Sequence, residues 1–315
     1  MINIEQIRAR KNKIVVIGNH PALIQSILDF DYLSGKSQPS LIAVVTGKRG
    51  YTKFFFGKEE VLFPTFISVK SVPLPSDSTN WFFNISSGRR TLPSTLELLD
   101  FNYAGGVLFA ENVPELHAHS ILRTVEGSRY SPLILGPASV GLLVPTALKL
   151  GPIGGITPLQ VEESGIIKPG HIAVLSASGG MTNELISVAA LAGHHLSFAL
   201  SFGGDRFPIL SPSQAFLLAE ADPATTAVLY YGELGGLDEY ELVKLKEEGK
   251  FTKKVIAHIA GTVADLFPES PQFGHAKAKA ASVKDSALSK RKALREAGFT
   301  VTDSFSAFVA EVGQL

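Results

Sequence analysis

His171-Ile172-Ala173-Val174-Leu175-Ser176-Ala177-Ser178-Gly179-Gly180-Met181-Thr182-Asn183-Glu184-Leu185 decides the fold. The run 171–175 is apolar without alternation, as in a strand buried on both faces of a parallel sheet. A helical pattern follows over 182–191, reached through two serines and two glycines. Strand, glycine turn, helix is the repeating unit of an α/β fold. The same unit recurs outward in both directions. Further strands are predicted at 14–17, 41–45, 81–85, 106–109 and 133–135, and then at 197–201, 226–230, 254–259 and 299–301. Helical patterns fall at 20–29, 93–99 and 238–248. Between Leu142 and Gly170 the pattern breaks at Pro145, Gly151, Pro152, Gly154, Gly155, Pro158, Gly165 and Pro169. Such punctuation marks a crossing between two units. The expected domains are 1–145 and 169–315, with 146–168 connecting them.

Composition narrows the function classes. The 315 residues carry 29 Lys plus Arg against 29 Asp plus Glu, and this neutrality argues against a nucleic-acid binder. Cysteine is absent, which excludes disulfides, thiolate catalysis and Cys-ligated zinc. The stretch from Val140 to Ile156 is the most apolar, but Pro145, Lys149 and glycines interrupt it well short of the ~20 residues a span needs. The first residues lack the order of a signal peptide. A cytoplasmic protein, with neither membrane nor nucleic acid among its partners, is expected.

In a doubly wound sheet, ligands gather beyond the carboxyl ends of the strands, and this chain puts its least ordinary residues there. Gly18-Asn19-His20-Pro21 closes the first strand. It resembles a dinucleotide turn but lacks the other glycines of GxGxxG, so a dinucleotide site is disfavoured against a plain tight turn. Ser86-Ser87-Gly88-Arg89-Arg90 suits a phosphate or, equally, a solvated loop. Ser178, Gly179 and Gly180 open a helix whose positive end faces the loop, which makes an anion cradle or a capped helix start. Glu233 leaves a buried strand between glycines and needs a partner. His275, in Gln272-Phe273-Gly274-His275-Ala276, suits a covalent phosphoryl carrier if a carboxylate such as Glu233 holds its second ring nitrogen.

A serine-hydrolase order, Ser178, then Asp205 or Asp238, then His275, is the main rival. It lacks the elbow glycine, because Ser176 stands there. The pairs His117/His119 and His194/His195 have no metal-ligand spacing, and no metal site is expected. The basic stretch Lys277, Lys279, Lys284, Lys290, Arg291, Lys292 and Arg295 is interrupted by Asp285 and Glu296 and reads as a solvated helix face.

Taken in order, these motifs resemble the α subunit of succinyl-CoA synthetase. They resemble still more closely the corresponding region of ATP-citrate lyase and citryl-CoA synthetase. The resemblance rests on Gly136-Pro137-Ala138-Ser139-Val140-Gly141, the run from Ser176 to Leu185, Gly203-Gly204-Asp205-Arg206-Phe207-Pro208, Gly232-Glu233-Leu234-Gly235-Gly236 and Gln272–Ala276. In the first unit, Leu28–Tyr32 and Phe54–Pro64 look like the citrate-lyase branch. The resemblance implies an α/β chain: an N-terminal Rossmann-like CoA-binding domain followed by a flavodoxin-like, parallel-sheet phosphohistidine domain. It implies His275 as the phosphohistidine, Glu233 as the carboxylate that orients it, and Ser178, Gly179 and Gly180 as the phosphate cradle. It places CoA against Gly18, Asn19, Ser87 and Arg89.

CoA is then a substrate, ATP and Mg2+ sit on an ATP-grasp β-type partner subunit, and no cofactor is tightly bound in this chain. Citrate or a related carboxylate is the acid. A separate citrate-synthase-like chain would have to cleave citryl-CoA, since the sequence holds no such module. One departure stands out: Lys277 replaces the glycine usual in the family two residues after the histidine. It leaves open a non-catalytic CoA-binding subunit; a ligase for another carboxylate, such as succinate, stays open separately, since acid selection rests largely on the partner.

Overall fold

The computed structural model describes residues 1–267, 270–272 and 278–315. Its chain builds two sheets, each of seven described strands, with helices on their faces. The first sheet contains β1 (Asn12–Ile17), β2 (Leu41–Val45), β3 (Gly50–Phe56), β4 (Glu59–Phe66), β5 (Thr79–Asn84), β6 (Gly105–Leu108) and β7 (Leu133–Leu135). Their order is β3-β4-β2-β1-β5-β6-β7, parallel except that β3 runs antiparallel to β4. Helices α1 (Ile4–Ala9), α2 (Pro21–Leu33), α3 (Gly88–Leu99) and α4 (Glu115–Glu126) accompany it. The unbroken apolar character of β1 and β5 matches their position: Ile14, Val15, Val16, Trp81, Phe82 and Phe83 are all fully buried. The Trp81 indole N–H among them is satisfied internally, donating to the Asn12 side-chain oxygen at 2.9 Å.

The second sheet contains β8 (Leu142–Val144), β9 (Leu148–Leu150), β10 (Ile172–Ser176), β11 (Leu196–Ser201), β12 (Ala227–Glu233), β13 (Lys254–Ala260) and β14 (Thr300–Thr302). The order is β14-β13-β12-β10-β11-β8-β9. Its parallel part, β11-β10-β12-β13-β14, has the 2-1-3-4-5 order of flavodoxin-like sheets, with the switch point between β10 and β12. Helices α5 (Pro158–Glu163), α6 (Gly179–Leu191), α7 (Pro212–Ala221), α8 (Asp238–Glu247), α9 (Ala287–Glu296) and α10 (Phe305–Val312) complete it. No helix among the described residues is long and apolar enough to cross a membrane.

Most predicted strands and helices fall where the sequence put them. The β3–β4 hairpin does not, because its residues are apolar on both faces: Phe54 and Phe63 point inward while Tyr51, Phe55 and Leu62 stay exposed. A period of two is invisible in such a run. Strands β8 and β9 are three residues each, hidden among the prolines and glycines of the crossing.

The two sheets share one core. A single cluster of buried side chains passes from Ile14, Val16 and Trp81 through Ile4, Ile7, Leu142 and Val144 to Phe198 and Leu200. Charged groups cross the same seam. Arg8 on α1 clamps Asp222, which follows α7, with two bonds of 3.1 Å. Lys149 on β9, fully buried, donates to the Ser26 hydroxyl on α2 at 3.0 Å and to the Gly151 carbonyl at 2.9 Å.

Candidate functional site

At the first sheet's carboxyl edge, the winding reverses between β1 and β5. Gly18 leaves β1 with φ 104°, a left-handed value that favours glycine, and its N–H donates to the Val45 carbonyl at 2.9 Å. A Cβ there would lie 2.8 Å from Ile85 Cγ1, so the turn packs directly on the chain leaving β5. Ser87, two residues on, caps α3 by position but makes no side-chain cap bond. Its carbonyl instead accepts the Arg90 and Thr91 N–H groups. Gly18, Asn19, Ser87 and Arg89 thus converge on one switch point. Asn19, Ser87 and Arg89 are exposed beside the start of α3, which offers backbone N–H groups and an arginine to an anion.

At the second sheet's switch point, the Ser176 hydroxyl joins the two strands by donating to the Tyr231 carbonyl at 2.9 Å. The same hydroxyl accepts the Ser178 N–H at 3.0 Å. The Ser178 hydroxyl accepts the Met181 N–H at 3.4 Å as the cap of α6. Of the three amides expected to form the cradle, the Ser178 N–H is therefore engaged internally. Gly179 and Gly180 keep N–H groups with no backbone or side-chain partner among the described residues. The two glycines differ. A Cβ on Gly179 would meet Val140 Cγ1 at 2.4 Å, whereas Gly180 faces open space.

Glu233 ends β12 on the same edge and is half-buried. Burial, reinforced by the Glu233 charge, pushes the neighbouring Tyr231 phenol up to about 12. Sequence thus brings Ser178, Gly179, Gly180 and Glu233 together. His275 and Lys277 lie outside the described residues.

Residues 136–141 fasten the two edges to each other. The Gly136 N–H donates to the Phe202 carbonyl, Ala138 to Ala110, and Gly204 to Ala138, at 2.9–3.2 Å. The Ser139 hydroxyl reaches the Ser201 carbonyl at 2.5 Å. The approach is close enough that a Cβ on Gly203 would sit 2.2 Å from the Pro137 oxygen. Beside this stitch a cleft of about 890 Å³ opens, lined by Phe109 and Glu111 after β6, by Pro152, Gly154 and Gly155, and by Gly180 and Asn183 on α6. No group of three or more His, Asp or Glu that could hold a metal occurs among the described residues.

The basic stretch needs correction. Lys290 and Arg291 are 1% and 5% exposed, not part of a solvated face. Arg291 donates to the Ile259 carbonyl, and Lys290 pairs with Glu239 at 2.7 Å, both of them 1% exposed. Burial pushes the Glu239 carboxyl up while the Lys290 charge pulls it back. The signal was in the spacing: Ala287, Lys290, Arg291 and Leu294, all buried, stand at i, i+3, i+4 and i+7, the inner stripe of a helix.

The model of the CoA-ligase family matches residues 175–300, which run from the end of β10 to the start of β14. Residues 175–300 thus carry the likeness to that family. The chain's relatives extend the likeness to the first sheet. Over 300 residues the chain is 32% identical to the probable ATP-citrate synthase subunit 1 of Schizosaccharomyces pombe, covering 94% of this chain and 48% of that one. It is 35% identical over 286 residues to ATP-citrate synthase beta chain protein 1 of Arabidopsis thaliana, covering 90% and 46%. Among solved structures, the ATP citrate lyase of Methanosaeta concilii in complex with (3S)-citryl-CoA superposes with a TM-score of 0.91 at 32% identity. That match covers 96% of this chain and 49% of the other. These likenesses span both sheets and bear out the resemblance to the ATP-citrate lyase branch. The chain spans about half the length of these relatives.

Proposed function

We propose that this chain is the CoA-binding, phosphoryl-carrying subunit of an ATP-dependent citrate–CoA ligase. The observation that carries the reading is the start of α6, within residues 175–300, where two outward N–H groups lie on the same edge as Glu233. Aligned amides at a helix start stabilise a phosphoryl dianion without reorganising. In this reading an ATP-grasp partner holds ATP and Mg2+. A ring nitrogen of His275 attacks the γ-phosphorus; the N–P bond forms as the P–O bond to ADP breaks, and Glu233 holds the other ring N–H. The phosphoryl group passes to citrate, giving citryl phosphate. The CoA thiol, held through Gly18, Asn19, Ser87 and Arg89 at the β1/β5 switch point, then displaces phosphate to give citryl-CoA. Cleavage of citryl-CoA falls to a citrate-synthase-like module elsewhere. The compartment is the cytoplasm.

The test uses the chain with its ATP-grasp partner and [γ-32P]ATP. Wild type should take up acid-labile label, His275→Ala none, and Glu233→Gln should label about 10²-fold more slowly, the size typical of a lost acid–base or orienting group. An unlabelled wild type overturns the phosphohistidine reading. ADP release that needs CoA and responds to succinate but not citrate overturns the choice of acid.

A further inference from the structure

Lys290 and Glu239 make more than a buried ion pair. The Lys290 ammonium also donates to the carbonyls of Glu233 and Gly235, each at 2.6 Å. Glu239 in turn accepts the Tyr230 hydroxyl at 3.0 Å. Lys290 thus donates to both carbonyls that bracket Leu234 while its charge faces the Glu239 carboxylate at 2.7 Å as an ion pair. The same turn is held from its other sides. The Leu234 N–H donates to the Ala260 carbonyl at 3.0 Å and the Gly235 N–H to the Asp285 carbonyl at 2.8 Å, with Gly235 at φ 82°. Rotating the peptide after Glu233 breaks a short bond to Lys290.

Stability alone gives no reason for this arrangement, since a buried pair can be exchanged for apolar residues with little loss. What apolar residues cannot do is grip two carbonyls. We infer that Lys290 is a positioning residue for Glu233: its grip on the Glu233–Gly235 turn aims the Glu233 carboxylate at the phosphoryl-carrying histidine. The inference rests on the phosphohistidine reading above.

A double-mutant cycle tests it, with the partner subunit present and acid-labile 32P uptake as the readout. The arms are wild type, Glu233→Gln, the paired change Lys290→Met with Glu239→Gln, and all three together. The paired change removes both charges at once and strands neither. Its labelling rate should fall by about 10- to 100-fold, the scale of a small misplacement of a reacting group. The triple variant should label no more than about twofold slower than Glu233→Gln, because both changes act through one carboxylate. The pH profile of the paired variant should match that of Glu233→Gln. Additive losses, or wild-type labelling by a folded paired variant, overturn the inference. Should the paired change not fold, Lys290→Arg keeps a cation without the tetrahedral set of donors and reads the same cycle, additivity again being the overturning result. An unlabelled wild type strikes the phosphohistidine reading itself and takes this inference with it.

Discussion

Lys149 carries an amine that burial pulls down to about 7, although Asp29 and Asp31 on α2 oppose the shift. The sign of its effect follows from proton counting. Between about pH 7 and the ordinary lysine range near 10.5, the unfolded chain binds a proton that the folded chain does not. Stability therefore rises with pH across that window, and below it the charged amine carries its full desolvation penalty. Lys149→Met should be more stable than wild type at pH 6, on the order of a few kcal/mol. The advantage should shrink as pH approaches 10, as read by urea denaturation at several pH values; a gap that does not change with pH refutes the account. In the sequence, Lys149 was visible only as an interruption of an apolar run. Its side-chain partner Ser26 lies more than a hundred positions away on α2, and no local spacing announces it.

The start of α6 separates packing from ligand approach within one element. Gly179→Ala drives a methyl against Val140 and should cost about 1–2 kcal/mol, as small overpacking does. Gly180→Ala meets open space and should leave stability equal or raise it by up to about 1 kcal/mol through helix propensity. Thermal melts of the two variants check this, and equal losses would contradict the assigned packing. Elements of this kind were legible in sequence because strand, glycine turn and helix change hydrophobic period abruptly. The β3–β4 hairpin was not, since aromatic residues on both its faces erase the alternation. On α9 the inner stripe was legible, but two of its four positions are cationic, and cations are read as solvated unless their partners are known. Those partners, Glu239 and the Ile259 carbonyl, come from α8 and β13.

At the scale of the molecule, the Arg8–Asp222 clamp ties α1 to the second sheet. Asp222 has no exposed side-chain surface, while Arg8 retains 27%. Arg8→Ala leaves a buried carboxylate with Thr225 as its side-chain donor and should cost about 2 kcal/mol, less than a fully buried pair because Arg8 is partly solvated. Denaturant unfolding checks the size; a change within about 0.5 kcal/mol would show the clamp to be ornamental to stability. That two sheets exist was readable from the repeated units. That they share a core was not, because the side chains that join them are separated by most of the chain.

The stitch at 136–141 has a kinetic meaning. Backbone bonds from Gly136, Ala138 and Gly204 bind the carboxyl edge of β6 to that of β11, so these edges cannot close on each other like jaws. On the proposed function, a CoA held at one edge and a phosphoryl group received at the other would be kept apart by this stitch. On that reading, the rate of transfer would follow the reach of the carrier rather than any movement of one half against the other.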